Sequence, residues 1–370
     1  MKILRIPLVI VLVVAAYRGF DANAQTESTV YTLGSQPNDG SIPYGLLVQG
    51  SDGNFYGTTS TGGNTNLNGG YGDGTVFRVG SDGSYTNLYS FGSSPTDGYN
   101  PQAGLVQGRD GNFYGTTVYG GTSANCGGGC GTVFRISPSG NYTNLYSFGS
   151  QPNDGVSPQA LVQGSDGNFY GTTLIGGANN CNCGTVFRIS PSGNYSNLYT
   201  FSNQTESGAN PTTLVQGSDG NFYGTAQSAG TNALGTIFRI SPSGNETDLY
   251  TFGNQPGDGT TPFALVQGSD GNFYGTTEFG GTATNCFEGC GTVFRISPSG
   301  SYSNLYSFGS QPNDGGFPFG GLVQGSDGNF YGTTQSGGTS SFGAIFRISA
   351  SGSETNLYAF GQLINDGEFP

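Results

Sequence analysis

The chain has 370 residues, 69 of them Gly and 17 Pro, and a formal net charge of −13. Charged residues make up only 9% against 13% aromatics, which rules out an ordinary disordered chain, since such chains are charge-rich and aromatic-poor. The acidic balance disfavours nucleic acid and anionic lipid as partners. The absence of His removes the Ser-His-Asp and Cys-His catalytic arrangements and all His-ligated metal sites.

The first element is a targeting segment. Lys2 and Arg5 precede the apolar run IPLVIVLVVAA at 6–16, and Ala22 and Ala24 offer small residues for cleavage before Gln25. The run is too short to span a membrane comfortably, so residues 1–24 read as a signal peptide rather than an anchor. Removing Lys2, Arg5, Arg18 and Asp21 from ten basic and 23 acidic residues leaves seven Arg, no Lys and 22 acids, a net charge of −15. No second apolar span follows. The expectation is an exported protein, secreted or held at the cell surface or periplasm, with no membrane insertion after signal cleavage.

After Thr29–Leu33 (TVYTL) a long repeat begins. The stretch GSDGNFYGTT at 50–59 recurs with its Asp at Asp52, Asp110, Asp166, Asp219, Asp270 and Asp327, spaced by 58, 56, 53, 51 and 57 residues. Each unit carries the same phrases in the same order. GLVQG predicts strand A. SDGN supplies the Asp-Gly of a tight hairpin. NFYGTT predicts strand B, and GTVFRIS, rich in β-branched and aromatic residues, strand C. SPSGN is a second turn and TNLYSF is strand D. No window has helical apolar spacing with caps.

Four antiparallel strands repeated six times predict an all-β fold, a β-propeller of six four-stranded blades, with residues 25–370 as a single domain. The blades run over 45–91, 104–148, 160–201, 213–252, 264–308 and 320–360. An open β-solenoid is the competing architecture. A spare D-like strand, Thr29–Leu33, precedes blade one and could close the ring on the last blade. Residues 365–370 (NDGEFP) match the start of another blade, so seven blades or a longer array are the alternatives.

GLVQGSDGNFYGTT, a Gly-rich loop, GTVFRISPSGNYTNLYSF and PNDGVSP resemble the GloVer tandem repeat of exported bacterial proteins. The resemblance runs from Thr29 to the end; the A–B and C–D phrases also resemble NHL-type blades. It implies export, a surface repeat domain and an anchor that varies between members, but no particular activity. No C-terminal sorting segment is legible here.

In an up-and-down blade the A–B and C–D turns share one rim and the B–C and D–A loops the other, where binding would sit. The D–A loop GSQPNDGxxP repeats an Asp at Asp39, Asp97, Asp154, Asp258, Asp314 and Asp366, with Ser207 in that place before blade four. These are candidate calcium ligands. The competing reading is an Asp-Gly turn closing on its own backbone. All six cysteines fall in B–C loops: Cys126, Cys130, Cys181, Cys183, Cys286 and Cys290. In an exported chain they predict disulfides, with Cys126–Cys130 and Cys286–Cys290 closing small loops. Cys181 and Cys183 are two apart, so pairing across to blade two is considered; a four-thiolate zinc site is disfavoured.

Arg78, Arg135, Arg188, Arg239, Arg295 and Arg347 share one place on strand C, either lining a channel or pairing with the SDGN aspartates. The FY and LYSF aromatics are expected to be core between blades. Residues that break the repeat are the ligand-binding candidates: Tyr71, Asp73, Tyr119, Glu278, Phe279, Phe287 and Glu288. The functional expectation is a monomeric exported propeller that binds an extracellular glycan or surface protein through its upper loops, without catalysis. The alternatives are a structural or adhesion scaffold and a carboxylate-dependent glycosidase or lyase.

Overall fold

The computed structural model describes residues 9–11, 29–64, 72–94, 96–178, 182–202, 208–229, 233–283, 286, 288–311, 313–339 and 341–361. The chain divides into two compact units, Met1–Ser147 and Phe148–Pro370. Among the described residues every regular element is a strand. The first unit holds blades one and two and the second holds blades three to six, the repeat architecture of a β-propeller. Blade three shows the plan: strand A at Gly155–Gln163, B at Phe169–Gly176, C at Thr185–Ile189 and D at Tyr195–Thr200, paired antiparallel in that order. In the second unit strand A of one blade packs directly on strands A and B of the blade before it, so strand A is the inner edge.

Strand A is longer than the sequence implies. The residues after NDG, read above as loop, continue the ladder: Gly155 pairs with Gly176 and Pro158 with Thr173. The pairing then steps across a bulge to Leu161 and Gly171. Two residues separate that Pro from that Leu in blades three, four and five. Blades one, two and six have three (YGL at 44–46, QAG at 102–104, FGG at 319–321). The extra residue is more than the bulge absorbs, so strand A breaks in two: Gly40–Pro43 and Val48–Gln49, Gly98–Tyr99 and Val106–Gln107, Gly315–Gly316 and Val323–Gln324.

The FY pair is a seam between blades. Successive side chains on a strand face opposite ways, so the Phe meets the preceding blade and the Tyr the next. Tyr56 stacks on Phe113 at 3.9 Å, and Tyr170 on Phe222, Tyr223 on Phe273 and Tyr274 on Phe330 at 4.0 Å. The Tyr hydroxyl donates to the SDGN carboxylate, as from Tyr56 to Asp52 at 2.7 Å. The backbone N–H of Ser51 is taken by Gln107 of the next blade at 2.9 Å. The Arg of strand C is the ladder partner of this Tyr, Arg78 opposite Tyr56, so the Tyr stands between Arg and Asp. Glycine follows FY because a Cβ at Gly224 would lie 2.6 Å from the ring of Phe238.

The second Thr of GTT meets the first Thr of GTVF inside the blade, as in the 2.8 Å hydroxyl contact of Thr59 with Thr75. Blade four has Ala226 instead, and the buried Thr236 hydroxyl is left without a partner. Ala226→Thr is therefore expected to stabilise the protein by about 1 kcal/mol, read from the denaturation midpoint. An unchanged or lower midpoint would show that the space beside Gly208 is too tight.

Thr29–Thr32 pairs antiparallel with Val9–Val11, inside the segment read as a signal peptide.

Candidate functional site

The variable residues lie in a constant frame on the inner edge. Just before the strand-A Pro stand Ile42, Asn100, Ser157, Asn210, Thr261 and Phe317, and every one has a φ between 55° and 58°. For non-glycine residues, above all Ile, Thr and Phe, this is a strained conformation. It persists because the backbone N–H reaches the preceding blade. Asn100 donates to the Asp73 carbonyl at 2.9 Å, Asn210 to that of Cys183 at 3.0 Å, Thr261 to that of Leu234 at 3.0 Å and Phe317 to that of Cys290 at 2.8 Å. Each of these four acceptors ends a variable B–C loop, so the loops of blades one, three, four and five are tied to the variable strand-A residue of the next blade. The Gly that follows the acceptor has a φ of 91–105° in blades one, three, four and five and lies under the Pro of the next blade.

In the first unit this arrangement gathers a polar aromatic group. Tyr119 is 40% exposed and stacks on Tyr99 with centroids 5.3 Å apart and planes 28° from parallel. Both lie in a short ladder, Tyr119 opposite Tyr99 and Gly120 opposite Gly98. Tyr119 is thus at the end of strand B rather than in the loop predicted for it. The Cys126–Cys130 disulfide closes that loop, and Gly120 donates to the Gly128 carbonyl at 2.8 Å. Gln102 donates to the Asn100 side chain at 2.9 Å. Burial raises the Tyr99 hydroxyl above its usual range, with the charges of Asp73 and Tyr119 adding to the rise. Burial also raises the Asp97 carboxyl; donation from Tyr89 and Ser94 opposes this and the charge of Asp73 adds to it.

In the second unit, blade five brings Glu278 and Phe279 onto strand B (Phe273–Gly280), again strand where loop was expected. Phe279 meets Phe317 edge-on at 5.6 Å, and Phe263 meets Phe319, 48% exposed, at 4.5 Å. Burial raises the half-buried Glu278 carboxyl. Glu288 holds a φ of 64° within the loop closed by Cys286–Cys290, and its carbonyl accepts from Gly280 at 2.7 Å.

Of the predicted residues, Asp73 and Tyr119 come together around Tyr99, and Glu278 and Phe279 share a strand. Tyr71, Phe287, Asp366 and Cys181 lie outside the described residues. The repeated aspartates are drawn into their turns. Asp39 accepts from Tyr31 at 2.7 Å and the Gln36 N–H at 2.9 Å, and Asp97 from Tyr89 at 2.6 Å. Asp258 accepts from Tyr250 at 2.7 Å and Asp314 from Tyr306 at 2.8 Å. Asp154 takes the Gln151 N–H at 3.0 Å. Among the described residues no group of three or more Cys, Asp or Glu is placed to hold a metal ion. Cys183 is disulfide-bonded, but both blade-two cysteines are joined to each other, so the cross-blade bond considered above does not form. Tyr99, Asn100, Gln102 and Phe317 were missed because strand A was taken for loop. Their signal was variability beside an unvarying Pro.

The Gloeobacter/Verrucomicrobia repeat model matches residues 17–207 and 157–370, together nearly the whole chain. The chain belongs to this repeat family. GloVer membership agrees with the resemblance in the repeated phrases. No curated protein matches in sequence. Among solved structures the GloVer chain is similar to the extracellular domain of the one-component system BT4673 from B. thetaiotaomicron. Identity is 14% and the TM-score 0.53, over 87% of this chain and 36% of that one. It is also similar to PorZ, a surface component of the type-IX secretion system of Porphyromonas gingivalis. There identity is 14% and the TM-score 0.53, over 91% of this chain and 44% of that one. The chain thus spans less than half the length of either structure, and these likenesses show the fold alone.

Proposed function

We propose that this GloVer chain is an exported binding protein that holds a neutral extracellular glycan at the blade-two site. The observation that carries the reading is the Tyr119–Tyr99 stack. The repeat aromatics are spent in seams, whereas Tyr119 is 40% exposed on a strand held by a disulfide loop. An exposed ring offers an apolar face to a sugar, and the carboxylates and amides of Asp73, Asn100 and Gln102 offer polar partners beside it. The disulfides and the apolar N-terminal segment support export. The chain from Gln25 should bind on a broad glycan array. Tyr119→Ala should weaken binding about tenfold, roughly 1.4 kcal/mol. Equal binding by the variant would remove the site. Binding that survives a chelator would exclude calcium from it.

Asp73, which breaks the repeat beside Tyr99, favours a second reading, a carboxylate-pair glycosidase acting at the same place. Release of reducing ends by the chain, abolished in Asp73→Asn, is its test.

A further inference from the structure

The face of blade one that looks away from blade two carries half a seam. Phe113, Phe222 and Phe273 are fully buried and Phe330 is 1% exposed, each the seam Phe of its blade; the same Phe in blade one, Phe55, is only partly buried. The residue before the core Leu of strand A behaves alike. A Cβ at Gly104 would touch Leu46 of blade one, and one at Gly321 would touch Ala264 of blade five. In blade one that residue is Leu46 itself, 79% exposed.

The outer part of the same face is filled. Thr29–Thr32 lies where the D strand of a preceding blade would lie. Tyr31 stacks on Tyr85 at 4.3 Å, as Tyr89 does on Tyr142 at 4.1 Å and Tyr250 on Tyr302 at 3.9 Å. Tyr31 donates to Asp39 as Tyr89 does to Asp97. Its ladder to Val9–Val11 has the register of a C–D pair. Ile10 faces Tyr31 and the next step skips to Val11 and Thr29, as Val133 faces Tyr146 before Phe134 faces Asn144. A strand-C-like segment therefore seats on this edge.

We propose that the first unit docks one further repeat sheet of this chain's own kind, strands A to C, with Thr29–Thr32 serving as its D strand and its FY tyrosine stacked on Phe55. A whole blade from a second copy fits less well, because its own D strand would need the place that Tyr31 holds.

The test joins a copy of residues 259–300 directly ahead of Thr26, in place of residues 1–25, and compares it with the chain from Gln25. Backbone amide exchange at Thr29–Thr32 should slow by at least about tenfold, and the gain should vanish when the added copy carries Tyr274→Ala. As a check that needs no added domain, the peptide GTVFRIS should protect the same amides in the chain from Gln25 and its scrambled form should not. Unchanged exchange in both arms overturns the proposal. So does a chain from Gln25 that sediments as a dimer with these amides already protected, because a second copy then holds the face.

Discussion

Replacing Tyr223 by Ala is expected to cost about 3–5 kcal/mol, the usual loss for a large buried ring. Tyr223 is fully buried and stacks on Phe273 at 4.0 Å, within a core that also holds Ile237, Phe252, Phe294 and Ile296. Its hydroxyl donates to Asp219 at 2.8 Å, and burial together with that carboxylate pushes the phenol up to about 12. Tyr223→Phe separates the two contributions. The stack stays and one hydrogen bond to a mostly exposed carboxylate is lost, so the cost should be about 1 kcal/mol or less. The same variant should raise the Asp219 carboxyl. Burial opposes its ionisation, and donation from Asn221 and Tyr223 is what holds it below its usual range. Denaturation curves and a carboxyl titration would check both. Similar losses in the Ala and Phe variants would mean that the hydrogen bond, and not the ring, holds the seam.

Glu354 should make the protein less stable as pH rises. Blades one, two, three and five have Tyr85, Tyr142, Tyr195 and Tyr302 at the start of strand D; blade six has Glu354. Burial, then the charge of Asp314, pushes its carboxyl from 4.5 up to about 7, with the Tyr306 hydroxyl pulling the other way. Between those values the folded protein keeps a proton that the unfolded chain has lost. The folded state is therefore favoured below about pH 4.5, and that advantage is gone above about pH 7. The full shift would be worth roughly 3 kcal/mol, and solvent screening at this half-exposed site cuts it to about 1–2 kcal/mol. Glu354→Gln should match the parent near pH 4 and exceed it by that amount at pH 8. A difference independent of pH would show that packing, not charge, sets the cost.

The repeat made much of this fold readable. FY at a fixed offset in six copies, with Gly always after it, marks positions that must meet the same neighbours, and they do at the four junctions inside the two units. The first half of strand A was not readable, because Pro beside a residue at positive φ carries the chemistry of a loop. Only the ladder to strand B, with Gly155 opposite Gly176 and Pro158 opposite Thr173, shows that it is strand. For the same reason Tyr119 and Phe279, each followed by Gly-Gly, read as loop residues. The site was half legible: Asp73 and Tyr119 stood out as breaks in the repeat, whereas Tyr99, which joins them, looked like one more turn residue. One irregularity becomes clear only in three dimensions. Ser207 stands in sequence where the other D–A loops have Asp, and blade four has Glu246 where most blades have Tyr. Glu246 is bonded to Tyr199, the Tyr that would otherwise serve that Asp. The carboxylate has moved to the next blade and its partner has stayed.

The placing of the arginines bears on resistance to trypsin-like proteases. From Gln25 onward there is no Lys, and six of the seven Arg are the fourth residue of a strand C. Each is laddered on one side to the strand-B Tyr and on the other to a Thr or Ser of strand D. A trypsin-like enzyme must draw several residues into its cleft in extended form, and a central strand cannot be drawn out without unzipping its blade. The variable loops, which exposure would make the natural targets, contain no basic residue. Within this span the folded chain offers such an enzyme one accessible bond, after Arg109 in the exposed A–B turn of blade two.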